Sequence, residues 1–185
     1  MNRNNYLNWK KFYRTDTKSK NDVLEKIKRF EWHPKISILM PVYNVKAKFA
    51  ERAIESLKEQ FYENWELCIA DDHSQKPDLT GIFKKKAAED KRIKCIFLDQ
   101  NLGISQASNQ AAALSSGEFI GFLDHDDELV PSALYEVVRV INKSNPDVIY
   151  SDEDFIDKKG RAIHVHFKPD YSPDLLFCHN YITHF

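Results

Sequence analysis

Three carboxylates fall within four residues at Asp124-His125-Asp126-Asp127. They follow directly on Phe119-Ile120-Gly121-Phe122-Leu123, a run with no polar position. Such a run reads as a strand buried on both faces, as in the middle of a parallel sheet. In open α/β sheets the ligand crevice lies outside the carboxyl ends of the strands, and the acids stand where this strand should end. Mg2+ takes oxygen ligands and is commonly held by one or two carboxylates together with substrate phosphates. The stretch therefore suits a metal–phosphate site. As an isolated pattern it suits a solvated acidic turn equally well.

Two further stretches should reach the same edge. Pro41-Val42-Tyr43-Asn44 follows the apolar run Ile36–Met40, and Asp71-Asp72-His73-Ser74 follows Trp65–Ala70. Tyr43 offers a ring that can stack on a base, and the paired acids can accept from a base N–H or a ribose hydroxyl. The first strand is followed by neither Gly-x-Gly-x-x-Gly nor Gly-x-x-x-x-Gly-Lys, so a dinucleotide fingerprint and a P-loop are both unsupported. Aromatic, acid and metal-binding loop together describe a clamp for a nucleoside diphosphate.

The elements that would position these loops alternate along the chain. Strands are expected at 36–40, 65–70, 93–98, 118–123 and 147–150, with helices near 47–60, 78–89, 103–115 and after Pro131. Phe49, Ala53 and Leu57 share a helical face, as do Leu134, Val137, Val138 and Ile141. Gly117 suits the residue just past a helix end, and Asp127 suits the N-terminal turn of the helix near Pro131. Strand starts recur at the spacing of βαβ units, so the fold class expected is α/β, a mostly parallel sheet flanked by helices. Residues beyond Asp152 carry no clear period. Residues 1–33 read as a basic helical extension, with Val23, Ile27 and Phe30 on one face and Trp9, Phe12 and Tyr13 in a segment before it. Residues 34–185 form the main domain.

Composition narrows the partners. Hydrophobic residues make up 42% and aromatic residues 12% of the 185-residue chain, which argues against disorder. No apolar run has the length of a membrane span and no signal-peptide core stands at the start, so a cytoplasmic location is expected. The net charge of −1 divides unevenly, +6 over residues 1–35 and −7 over the rest. A basic arm could touch anionic lipid or nucleic acid, and a solvated helix face accounts for the excess as well. The expectation is peripheral contact with the inner face of a membrane and no nucleic-acid partner. Cys68, Cys95 and Cys178 show no metal or disulfide spacing and read as buried free thiols. His164 and His166 could share one strand face, His179 and His184 have the wrong spacing for a helical ligand pair, and His125 should point away from the acids.

These motifs resemble family 2 glycosyltransferases of the GT-A fold. The resemblance rests on Ile38–Asn44, Ile69–Ser74, Asn101-Leu102-Gly103 and Phe122–Leu129. The stretches Tyr150–Asp154, Phe167–Asp170 and His179-Asn180-Tyr181 are similar to members that build bacterial surface polysaccharides such as rhamnans and O-antigens. It implies an inverting, metal-dependent transfer from a UDP-sugar to a surface-glycan or lipid-linked acceptor. It also implies nucleotide-sugar contacts from Pro41, Tyr43, Asn44, Asp72, Asn109 and Asp124, with Tyr43 at the uracil ring and Asp72 at its N3–H. Asp126 would ligate Mn2+ or Mg2+, with Asp124 a second candidate. Many members carry Ala-Arg-Asn where this chain has Ala107-Ser108-Asn109, which removes one phosphate contact. The chain reaches Phe185 where the family pattern would continue, so the acceptor half is expected to be incomplete, with the true base beyond it. Asp152 and Asp154 are the base candidates left within the chain. The alternatives are a shortened relative that binds nucleotide without turnover, or a receiver-type signalling domain. The latter needs a Lys after the fifth strand that is absent here.

Overall fold

The computed structural model describes residues 20–157 and 160–185. The elements run α1 (Lys20–Ile27), β1 (Ile36–Val42), α2 (Ala47–Lys58), β2 (Trp65–Asp71), α3 (Pro77–Glu89), β3 (Ile93–Phe97), α4 (Ile104–Ala113), β4 (Phe119–Phe122), α5 (Ala133–Ser144), β5 (Glu153–Ile156), β6 (Ala162–His166) and α6 (Pro173–Cys178). β1 to β4 form one parallel sheet in the order β3-β2-β1-β4. β5 and β6 pair antiparallel as a separate hairpin.

Alternation along β1 sets the two faces of this sheet. Ile36, Ile38, Met40 and Val42 join Leu67 and Ile69 of β2 in a core closed by α2, α3 and α5. Leu39 points the other way, with Cys68 and Ala70, against Ala107 and Ala111 of α4. The small residues on α4 let that helix lie close to the strands. α2 and α3 carry the chain outward from β1 to β3 on one face, and α4 returns it on the other face to the far side of β1. The order of strands thus reverses between β1 and β4, which is where ligands bind in open α/β sheets.

The α1 segment docks on this domain. Val23 is buried, and Ile27 and Phe30 pack against the main core. Phe30 stacks on Tyr135 of α5, and the backbone of Trp32 exchanges hydrogen bonds with the Asn142 amide. The expected Trp9, Phe12 and Tyr13 segment, with most of the basic arm, lies outside the described residues. No helix among the described residues is long and apolar enough to cross a membrane.

Several expectations give way. Residues 147–150 form no strand, which leaves β4 with β1 as its one neighbour in the sheet among the described residues. Its apolar run is therefore not buried on both faces: Ile120 is 48% and Phe122 61% exposed. Gly117 does not end α4, whose C-cap is Leu114. It is glycine because a Cβ there would lie 2.4 Å from the Lys35 carbonyl oxygen. Cys178 is exposed, while Cys68 is buried. The stretch after Asp152, expected to be irregular, supplies β5, β6 and α6.

At the amino edge of the sheet a buried carboxylate ties three segments together. Glu66 of β2 is 1% exposed and pairs with Lys35 and Lys94, each with Nζ 2.8 Å from Oε2. It also accepts from the Ser37 hydroxyl of β1 and the Ser116 N–H before β4. Burial alone would raise its pKa, but these donors outweigh that and hold it far below the usual carboxylate range. A depressed folded pKa contributes stability that is fully present above the unfolded value of ~4.3 and is lost as pH falls below it. Glu66→Gln should therefore cost roughly 3 kcal/mol at neutral pH, because it leaves two lysines facing a neutral amide. Urea unfolding of the variant should also fall off less steeply than wild type below about pH 4. Equal slopes would show that the carboxylate is not charged in the folded state.

Candidate functional site

The carboxyl ends of β1, β2 and β4 each release one of the loops singled out in the sequence. β1 runs three residues past its pairing with β4, which ends at Leu39 opposite Phe122. Leu39 accepts from the Leu123 N–H on the β4 side, and Val42 accepts from the Asp72 N–H on the β2 side. Pro41 therefore turns its N–H-less nitrogen toward β4, beyond the last rung, where no donor is called for. Extended by two residues, the β1–β4 register would set Pro41 opposite Asp124.

Tyr43 follows on β1 and is 48% exposed, so its ring is open to solvent at the carboxyl edge of the sheet. Asn44 (φ 51°) is engaged locally. Its N–H donates to Ser74 Oγ, its Oδ1 accepts from the Gln75 N–H, and its carbonyl accepts from Lys76 Nζ. It clips the first loop to the second.

Asp72 is 3% exposed. Its Oδ1 accepts from the Leu102 N–H at 2.7 Å and its Oδ2 from the Gly103 N–H at 2.9 Å. The carboxylate thus fixes the turn that starts α4. Gly103 adopts φ 83° and ψ 163°, a region open in practice to glycine alone. Asn109 lies exposed in the middle of α4.

The acidic stretch is a turn, closed by the Asp127 N–H donating to the Asp124 carbonyl at 3.1 Å. It is anchored at both ends, through Leu123 on β1 and through the Leu129 N–H on Ser56 Oγ of α2. In extended chain Asp124 and Asp126 would share a side. Here the ends of the turn, Asp124 and Asp127, come together and meet His184. His184 Nδ1 lies 2.9 Å from Asp127 Oδ2 and 3.5 Å from Asp124 Oδ2. Ligand atoms of these three residues all fall within 4.8 Å of one another, and among the described residues no other group of three has such an arrangement. Asp126 stands outside it, 58% exposed, with Oδ1 3.4 Å from His125 Nδ1. Asp127 is not in the first turn of α5, which begins at Ala133. Burial and the charges of Asp124 and Asp126 raise its pKa, with His184 opposing them.

The 152–154 acids divide by strand alternation. Glu153 points toward the turn, with Oε2 3.9 Å from His184 Nε2, and its Oε1 lies 2.7 Å from His166 Nδ1. Asp152 Oδ1 accepts from the Lys168 N–H at 2.7 Å, and Asp154 pairs with Val165 in the hairpin ladder. Glu153 belongs to the acid stretch 152–154 already singled out in the sequence, whereas His184 is the residue of this edge not expected there. No local pattern announces it, since His184 lies 57 residues from the aspartate it meets.

A parallel sheet whose strand order reverses beside an exposed tyrosine, a buried aspartate and an acidic turn has the architecture of a GT-A glycosyltransferase fold. Residues 37–184 match glycosyl transferase family 2, and the chain belongs to that family. An uncharacterized protein of Sinorhizobium fredii is 44% identical over 162 residues, which are 86% of this chain and 18% of that protein. The O-antigen biosynthesis protein RfbC of Myxococcus xanthus is 34% identical over 162 residues, 87% of this chain and 13% of that protein. Among solved structures, residues 1–349 of S. aureus TarS in complex with UDP-GlcNAc superpose with a TM-score of 0.60 at 26% identity, covering 70% of this chain and 37% of that one. The chain thus spans a minor part of the length of each.

Asp72→Asn replaces one accepting oxygen with an NH2 group that faces a backbone N–H, and should cost about 1–3 kcal/mol. Gly103→Ala should cost about 1–3 kcal/mol through backbone strain. Urea unfolding checks both; values within ~0.5 kcal/mol of wild type, ordinary for surface changes, would mean the turn is held by something else.

Proposed function

We propose that this chain is the donor-binding part of a glycosyltransferase that moves a sugar from a nucleotide-sugar, in the first instance a UDP-sugar, to a growing surface polysaccharide or its lipid-linked precursor. The observation that carries the reading is the gathering of exposed Tyr43, buried Asp72 and the Asp124–Asp127 turn at one sheet edge, on either side of the strand-order reversal. The name of the Myxococcus xanthus relative and the UDP-GlcNAc bound in the TarS structure support the acceptor and donor classes.

In this reading Tyr43 stacks on the base. Asp72, oriented by two amides, retains a lone pair on each oxygen for a base N–H. Pro41 and Asn44 shape the first loop, Asn109 faces the donor from α4, and Asp124 binds the ribose or sugar. The carboxylates of the 124–127 turn have the chemistry to hold Mn2+ or Mg2+. Such a cation supplies positive charge to the diphosphate as it leaves. Inversion at the anomeric carbon requires a base on the face opposite the diphosphate, within reach of the acceptor hydroxyl. Asp152, just before β5, and Asp154, within it, are the candidates this chain carries. The basic residues before α1 would hold the enzyme at an anionic membrane surface on the cytoplasmic side.

Thermal unfolding with UDP, with and without Mn2+, tests the donor site. At ~100 times its dissociation constant UDP should add ~2.7 kcal/mol, with a further Mn2+-dependent increment that Asp124→Ala abolishes. If no nucleotide shifts the wild type, the donor reading fails. Release of UDP from a UDP-sugar then separates turnover from binding alone.

A further inference from the structure

The β5–β6 hairpin carries a face of mixed chemistry that leads away from the acidic turn. Cross-strand pairing sets Glu153 opposite His166 and Phe155 opposite His164, and alternation puts these four side chains on one side of the hairpin. The Glu153 pair is the inner one. Glu153 Oε2 lies 3.9 Å from His184 Nε2, and His184 meets Asp127. The Phe155 pair stands two residues further along the strands, about 7 Å away. There the Phe155 ring is 52% exposed, with the His164 ring tilted beside it at 5.8 Å between centroids. Past this pair the register slips, leaving Ile163 as the extra residue on β6. Such bulges re-aim side chains and are frequent beside active sites.

The composition of this face selects its ligand. One ring bordered by two imidazoles and a carboxylate is too small and too polar to be the apolar patch of a protein interface. A pyranose matches both parts. Its faces carry C–H groups made electropositive by the neighbouring oxygens, which suit the negative face of an aromatic ring. Its rim carries hydroxyls that can donate to, and accept from, imidazole and carboxylate atoms. Phosphate is served poorly, because among the described residues of the hairpin and its exit each Lys and Arg is already committed. Arg161 pairs with Asp157 at 2.7 Å, and Lys168 Nζ donates to the Thr183 carbonyl with Glu153 Oε2 at 3.8 Å. The face therefore suits an uncharged stretch of glycan and not the diphosphate of a lipid carrier.

We infer that Phe155 and His164 form a stacking platform for the glycan acceptor, with Glu153 and His166 hydrogen-bonding the sugar unit nearer the acidic turn. The bound glycan's role as acceptor rests on the transfer proposed above, whereas the platform rests on the hairpin alone. A chain stacked on Phe155 runs along the face toward His184. Its end then arrives at the carboxyl edge of the sheet, where the donor is proposed to lie.

Fluorine NMR of the full chain carrying fluorophenylalanine tests this. The probes are the methyl glycosides of rhamnose, glucose, galactose and N-acetylglucosamine, each titrated to high millimolar concentration. At least one should shift the Phe155 resonance saturably and move the His164 imidazole signals with it. Phe177, 95% exposed on α6, is the control and should not move. Phe155→Leu keeps apolar bulk without a ring and should weaken the binding read at His164 roughly fivefold. Phe155→Trp should retain it, and unchanged methyl signals of buried Val165 show that the hairpin of each variant is intact. No saturable shift with any probe, shifts shared by Phe177, or binding that survives Phe155→Leu would each overturn the inference. So would a dimer that forms on concentration and is lost in Phe155→Leu, which would assign the face to a second copy of the chain. Thermal unfolding with UDP on the same samples keeps the two readings apart. UDP binding with no glycoside at Phe155 overturns the platform alone, and a glycoside at Phe155 without UDP binding overturns the donor reading alone.

Discussion

β1 pairs in parallel on both of its sides, with β2 and with β4, and the site depends on that arrangement. Parallel pairing brings every carboxyl end to one edge, so three loops far apart in sequence open onto one crevice. Parallel pairing also forbids tight hairpins, so each return is a helix, and the helix that returns to the far side of β1 must cross the opposite face. α4 can do so because Ala107 and Ala111 allow close approach to Leu39, Cys68 and Ala70. The crevice is therefore a product of topology before any functional side chain is placed in it.

The loops at that edge are stiffened by their own polar groups. Asp72 fixes the start of α4, and Asn44 couples the first loop to the second. A loop held by its own carboxylate needs no reorganisation when a ligand arrives. The same economy appears at the opposite edge, where Glu66 joins β1, β2 and the approach to β4 without touching the site.

Much of this was legible in the sequence, where local patterns carry it. Apolar runs marked β1, β2 and β4, closed by Pro41 in the first and by acids in the other two, and helical spacing marked α2 and α5. What was not legible depends on partners distant in sequence. An unbroken apolar run cannot say whether a strand is central or at an edge, because both faces of β4 are apolar whether or not anything covers them. Val148 and Ile149 have β-forming side chains, but β-propensity has meaning only beside a partner strand, and none takes them up. The resemblance points to Asp126, with Asp124 second; the turn closed by the Asp127 N–H on the Asp124 carbonyl brings Asp124 and Asp127 together at His184, a contact that no local pattern shows. His184 could not be found at all from its neighbours, since its meaning comes from a contact across the fold.

Pro41 shows how an absence can shape a site. A rung at that point would carry the β1–β4 ladder onward and draw Asp124 into the sheet. With no hydrogen to offer on that side, the ladder has nothing to continue with, and the two strands part like the tines of a fork. Beyond the last rung the chain turns, and the acids lie on that turn. A ring of five atoms in the backbone thus decides where the sheet stops being a scaffold and starts being a vessel.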